Sequence, residues 1–321
     1  MSTRRLGRTD AELSPIGLGC WQFSEGFGIV GGFWPALPQA TVDEVVAKSL
    51  AGGITWFDSA EAYGKGRSEH ALARALEAAG KKPGEIFVAT KWMPAGRFAS
   101  SAKRTIGERL AKLAPYPIDL HQVHQPFGFS SVEAEMNAFA ELVQEKKIRF
   151  AGVSNFNEKR MRRAHAALAR KGLPLASNQV KYSLLDRRIE SNGVLAAAKE
   201  LGVTVIAYSP LEQGLLSGKF HHDPTLIRQA PGPRRYMPAF RASGLAKSRP
   251  LIDELEKIAK AHGATPSQVA LSWLITFHGD AVVAIPGATK VRHVEENVGA
   301  MRLMLSQAEL ARIDELSRPF L

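Results

Sequence analysis

The chain has 321 residues, is 45% hydrophobic, carries a formal net charge of +11 and contains one cysteine. A lone Cys20 excludes an internal disulfide, no apolar run approaches the ~18 residues of a membrane span, and the polar start from Met1 to Asp10 has no secretory core. A soluble, cytoplasmic protein that touches no membrane is expected, long enough for one domain over 1–321 built as a barrel of ~250 residues plus insertions.

Along the chain, 4–6 and 12–14 bracket Gly7-Arg8-Thr9-Asp10 and read as an N-terminal β-hairpin that covers the bottom of a barrel. Eight apolar runs then read as strands: 16–19, 55–58, 87–91, 120–124, 150–154, 178–182, 203–208 and 282–286. Helical periodicity falls at 42–51, 68–79, 101–113, 132–145, 158–169, 189–200, 267–277 and 291–300. Alternating strand and helix, eight times, implies an α/β fold with a closed parallel (β/α)8 TIM barrel. A closing C-terminal helix is expected at 305–317, with Ser306 as N-cap and Glu309 completing a capping box. Residues 212–249, rich in Gly, Pro and Arg, read as a long unstructured connection and a candidate lid.

Asp58, Lys91 and His124 leave three successive strands at one rim, with Tyr63 just past the first. A Tyr titrates near pH ~10 and donates protons poorly at neutrality. A Lys cation held by an Asp favours its phenolate, so Lys91, oriented by Asp58, is expected to lower the Tyr63 pKa. Taken singly, each residue could be a cap, a strand end or a packing residue; together they make a proton-donating constellation.

This quartet resembles that of the aldo-keto reductases. So do Ile16-Gly17-Leu18-Gly19, Gly152 through Phe156, Asn178-Gln179, Tyr208 through Leu211, Gly214 through Lys219, and Ile285-Pro286-Gly287 through Glu296-Asn297, in the family's order along essentially the whole chain. The resemblance implies reduction of a small-molecule aldehyde or ketone with hydride from NADPH, NADH being possible, by a monomer or weak homo-oligomer. It assigns Tyr63 as general acid, supported by Asp58, Lys91 and His124. It also places Ser154, Asn155 and Gln179 on the nicotinamide carboxamide and Tyr208 under the ring. Ser209, Leu211, Gly214, Leu216, Gly218 and Lys219 follow the pyrophosphate; Gly287, Thr289, Lys290 and His293 meet the anionic end near a helix start, and Glu296 and Asn297 reach adenine. Trp21, Trp34 and Trp92 are candidates for an apolar substrate pocket.

Two departures stand out. Many relatives carry an Arg near Thr289 for the 2′-phosphate, where this chain has Lys290, Arg292 and His293; and Gln125 precedes Pro126-Phe127 where an aromatic is common. Some barrels of this family serve as cofactor-binding regulatory subunits, as the potassium-channel β subunits do, and that is the alternative reading.

Other motifs carry less. Gly26 through Gly31 matches G-x-G-x-x-G, but Trp34-Pro35 and Pro38 follow where a helix should open, so a rim loop is expected instead of a Rossmann turn. Gly214 through Lys219 is one residue short of a phosphate loop and lacks its Ser or Thr. His121 and His124 face opposite sides of a strand, and His221-His222 has no partner at ligand spacing, so no metal is expected. The basic cluster Lys159, Arg160, Arg162, Arg163, Arg170 and Lys171 reads as the solvated face of an amphipathic helix. With no stacking platform beside it, no nucleic-acid partner is expected.

Overall fold

The computed structural model describes residues 3–230, 232 and 234–321, so Pro231 and Pro233 of the expected lid lie outside the described residues. Strands β1 (Arg4–Arg5) and β2 (Glu12–Leu13) pair antiparallel. Eight further strands pair parallel in chain order: β3 (Leu18–Gly19), β4 (Trp56–Asp58), β5 (Phe87–Trp92), β6 (Leu120–Val123), β7 (Phe150–Ser154), β8 (Leu175–Lys181), β9 (Thr204–Tyr208) and β10 (Val282–Ala284). The ring closes where Gly17 N donates to Ala284 O at 2.9 Å and Gly19 N to Pro286 O at 3.2 Å. This is the (β/α)8 barrel with the N-terminal hairpin that the sequence implies. Gly17 is required at this seam because a Cβ there would lie 2.3 Å from the Trp56 ring.

Period-two alternation divides the strand residues between two cores. Trp56, Phe87, Ala89, Leu120, Ala176, Ile206 and Val283 point inward, and Leu6, Ala11 and Leu13 of the hairpin plug their lower end. Arg4 fastens the plug by donating to the carbonyls of Val282 and Ile275. The outward-facing residues, among them Phe57, Val88, Val123 and Val153, meet the helices in a larger shell.

The closing helix Gln307–Ser317 has the expected capping box between Ser306 and Glu309. The helical pattern at 189–200 divides into Arg188–Ser191 and Val194–Leu201, because Gly193 adopts φ 85° between them. The segment 212–249 departs most from expectation. It folds into short helical turns, including Lys219–His222, Leu226–Gln229 and Pro238–Phe240, and then enters a helix, Ala242–Ala261, that accommodates Pro250. Leu215, Phe220, Ile227, Phe240 and Leu245 give it a small apolar core of its own, which its Gly and Pro content concealed.

Leu13→Ala tests the plug. It should cost about 2–5 kcal/mol in denaturant unfolding, the usual penalty for emptying a buried leucine site; a loss below about 0.5 kcal/mol would mean the hairpin does not contribute to the inner core.

Candidate active site

Asp58 ends β4, pointing inward, and Lys91 faces it from β5. Lys91 Nζ lies 2.5 Å from Asp58 Oδ1, donates to Ser59 O at 2.8 Å and reaches the Tyr63 hydroxyl at 3.3 Å, with both members of the ion pair at most 1% exposed. The other carboxylate oxygen accepts from Gln179 Nε2 at 2.9 Å and Gln122 Nε2 at 3.2 Å. Gln122 was not singled out from sequence. Its signal was its place two residues before His124, on the same face of one strand.

Tyr63 packs edge-on against His124, ring centres 5.6 Å apart, and lies near-parallel to Trp21 at 6.0 Å. Burial raises the Tyr63 pKa above its ordinary value, outweighing the opposing pull of Lys91. The expected lowering is therefore reversed in net, and Tyr63 is a protonated phenol at neutral pH. For Lys91 the burial penalty is overcome by Asp58 and then Tyr63, so its pKa is raised and it stays charged. Burial, helped by Lys91, pushes His124 down to about 3, and the imidazole is neutral.

These groups open into a cavity of about 940 Å³ at the strand ends. Its wall includes Asp58, Tyr63, His124, Ser154, Asn155, Gln179, Tyr208, Ser209, Leu211, Gly214, Lys219, Gly287, Thr289, Lys290, His293, Glu296 and Asn297, together with Trp21 and Trp34. Lys91, wholly buried, sits behind Asp58 and Tyr63, and three further expected residues are elsewhere. Trp92 follows inward-facing Lys91 and so must face outward, where it packs against Phe139 and donates to Ser101 Oγ at 3.2 Å. Leu216 is fully buried in the helix shell. Gly218, at φ 79°, caps the turn Lys219–His222 beside Glu256 and does not line the cavity.

A model of the aldo/keto reductase family matches residues 15–318. The chain belongs to this family. It is 34% identical to the aldo-keto reductase str7 of Strobilurus tenacellus, over 99% of this chain and 92% of that one. With the NADP(+) aldo-keto reductase yakc of Schizosaccharomyces pombe it shares 30% identity over 98% and 90%. Among solved structures, the glycerol dehydrogenase of Gluconobacter oxydans superposes with a TM-score of 0.84 at 28% identity, covering 99% of this chain and 96% of that one. Membership makes the protein an oxidoreductase of the carbonyl-reducing kind.

The wall of this reductase cavity suits an anionic, amide-bearing cofactor. Among the described residues, Gln22 Oε1, Trp34 Nε1, Gln213 Oε1 and Asn297 Nδ2 line it as buried polar atoms without a partner. Such atoms are rare unless a ligand or water completes them. The Lys219 pKa is lowered first by burial and then by Arg234 and Lys290, with Arg292 adding to them and Glu296 opposing. Like charges gathered in this way call for a polyanion. At the other end Tyr208 donates to Asn155 Oδ1 at 2.9 Å, and Asn155, held at φ 60°, donates to His124 O at 3.2 Å.

Among the described residues no group of three or more His, Cys, Asp or Glu could hold a metal, and no helix is long and apolar enough to cross a membrane. His121 and His124 do face opposite sides: His121 points out and stacks on Phe139 with ring centres 5.0 Å apart.

Burial also lowers His121 from 6.5 to about 3. The unfolded chain therefore takes up protons first, and stability is lost as pH falls from about 6.5 towards 3, at up to about 1.4 kcal/mol per pH unit for each such histidine. His121→Phe should make unfolding free energy less steep between pH 6.5 and 4.5 in urea titrations. An unchanged slope would show that His121 is not held neutral by its burial.

Proposed function

We propose that the protein reduces an aldehyde or ketone to an alcohol with NADPH, Tyr63 being the general acid. The observation that carries this reading is the bridge of Lys91 Nζ between the Asp58 carboxylate and the Tyr63 hydroxyl at the floor of the cavity. The bound nicotinamide supplies hydride to the carbonyl carbon. Tyr63 holds its proton at neutral pH and releases it as negative charge develops on the carbonyl oxygen. Lys91, a fixed cation beside the phenol, stabilises the phenolate left behind. Asp58, satisfied by Lys91, Gln122 and Gln179, keeps that cation in place. His124, kept neutral by its burial and part of the cavity wall, offers a ring N–H to the same oxygen.

Ser154 and Asn155 hold the carboxamide against Tyr208, and Gln179, with Nε2 committed to Asp58, retains Oε1 as an acceptor. Ser209, Leu211, Gly214 and Lys219 follow the pyrophosphate. Lys290, Arg292 and His293 take the 2′-phosphate beside the start of the helix Val291–Ala300, and Glu296 and Asn297 reach adenine. Trp21 and Trp34 wall the carbonyl compartment. The NADP(+) named for the fission-yeast relative supports the choice of cofactor.

Tyr63→Phe should lower carbonyl reduction by ~10²–10⁴-fold, the usual worth of a general acid, while NADPH affinity read from Trp quenching stays nearly unchanged. Retention of more than half the activity at neutral pH would refute the assignment. Lys290→Ala should weaken NADPH by roughly 1.5–3 kcal/mol and NADH far less, since a charge-assisted contact is lost only with the 2′-phosphate. Equal losses in fluorescence titrations of the two cofactors would place Lys290 on the pyrophosphate or the fold instead.

A further inference from the structure

We propose that Glu69 is a positioning residue for the Tyr63–Lys91 pair, acting from behind the barrel wall as one half of a two-point brace whose other half is Glu61. The inference rests on the reading of Tyr63 as the acid. The Tyr63 loop needs such a brace. Gly64, Lys65 and Gly66 follow Tyr63 with φ of 65°, 53° and 85°, a run of three left-handed residues. Two are glycines, with the most backbone freedom to lose, and Lys65 is strained there. Gly66 then caps the helix Arg67–Ala78 without a side chain. Within the turn Tyr63 is tied only through backbone bonds, Tyr63 N to Ala60 O at 3.0 Å and Ser68 N to Tyr63 O at 3.3 Å, so its hold on β5 must come from side chains.

Two carboxylates on either side of Tyr63 grip the lysine strand β5. Glu61 Oε1 accepts from the backbone of Met93 at 2.6 Å, and Glu69 Oε1 accepts from Thr90 Oγ1 at 2.6 Å. Lys91 lies between these two anchors. Thr90 points outward because Lys91 points inward, so Glu69, fully buried, reaches it from the helix layer. Arg109, on the helix Ser100–Leu113, meets Glu69 Oε2 at 2.9 Å and fixes the carboxylate from a third element. Arg97 secures Glu61 in the same way. Glu69 touches neither the cavity nor the proton that Tyr63 donates, so its contribution passes through geometry. A misplacement of about 1 Å is enough to cost ~10²-fold in rate.

The groups facing Glu69 are Arg109 and, more weakly, Glu61 and Lys91; Glu108 lies on the far side of Arg109, and neutral His121 faces Arg109 from β6. Burial raises Glu69 to about 7, with Arg109 and the Thr90 hydrogen bond opposing. A folded pKa above the ordinary 4.5 means that stability falls as pH rises through about 4.5 to 7. The ionised brace is thus kept at a cost in stability, and its charged form disappears below about pH 7.

The test compares the full-length protein with Glu69→Leu/Arg109→Met, which removes the acceptor and leaves no buried charge unpaired, and with Thr90→Val, which cuts only the tie to β5. Both should bind NADPH within about twofold of the parent, yet lose ~10²-fold in kcat with little change in carbonyl KM. In the cofactor-free proteins, amide exchange at Arg67, Ser68 and His70 should accelerate. If kcat stays within about threefold in Thr90→Val while Tyr63→Phe abolishes reduction, the brace is wrong and the function stands. If Tyr63→Phe keeps its activity, the function is wrong and exchange alone decides the brace: unchanged protection in both variants overturns it.

Discussion

A lysine and an aspartate that are almost wholly excluded from water set the terms for the rest of this protein. Removing such a pair from solvent costs several kcal/mol per ion before any attraction is counted, and buried pairs rarely repay that cost in stability. Here the cost is met by complete coordination. The Asp58 carboxylate on β4 receives Lys91 from β5, Gln122 from β6 and Gln179 from β8, so one side chain joins four strands across the barrel interior. Lys91 spends its remaining donors on Ser59 O and Tyr63. Removing either Lys91 or Asp58 leaves the other charge stranded, which is why the rim strands must meet at this height and register.

The parts of this arrangement visible in sequence were those governed by strand ends. Asp58, Lys91 and His124 each close an apolar run, so their convergence on one rim followed from the barrel alone. The same alternation that turns Lys91 inward turns Trp92 outward, and applying it strictly would have removed Trp92 from the pocket and added Gln122 to the centre. What sequence could not supply was the balance of opposing effects. The Tyr63 pKa depends on whether burial or Lys91 prevails, and that is a matter of distance and depth. The segment after β9 was misjudged for a different reason. Its glycines and prolines are turn residues, but Leu215, Phe220, Ile227, Phe240 and Leu245 are too widely spaced to register as a period, and they meet only once the chain has folded back on itself.

The adenine end of the cavity is organised by the opposite principle. At the catalytic end every charge has a partner, whereas around Lys219 cations are held near one another with little acid between them. A protein tolerates such repulsion where an incoming anion relieves it, and the relief then appears as binding energy and as stabilisation of the folded state. The buried amides of Gln213 and Asn297 fit the same pattern, since each is desolvated in advance of the group that satisfies it.

The hairpin imposes an order on assembly. Its Arg4 donates to Val282, 278 residues further along the chain, so the hairpin leaves the ribosome long before the strand that holds it in place. Until β10 joins β3, the base of the barrel is an open mouth lined by Trp56, Phe87, Leu120 and Ile206, and contacts this distant in sequence form slowly. Until then the nascent chain carries a greasy ring uncovered with its own stopper tethered alongside, a state prone to aggregate.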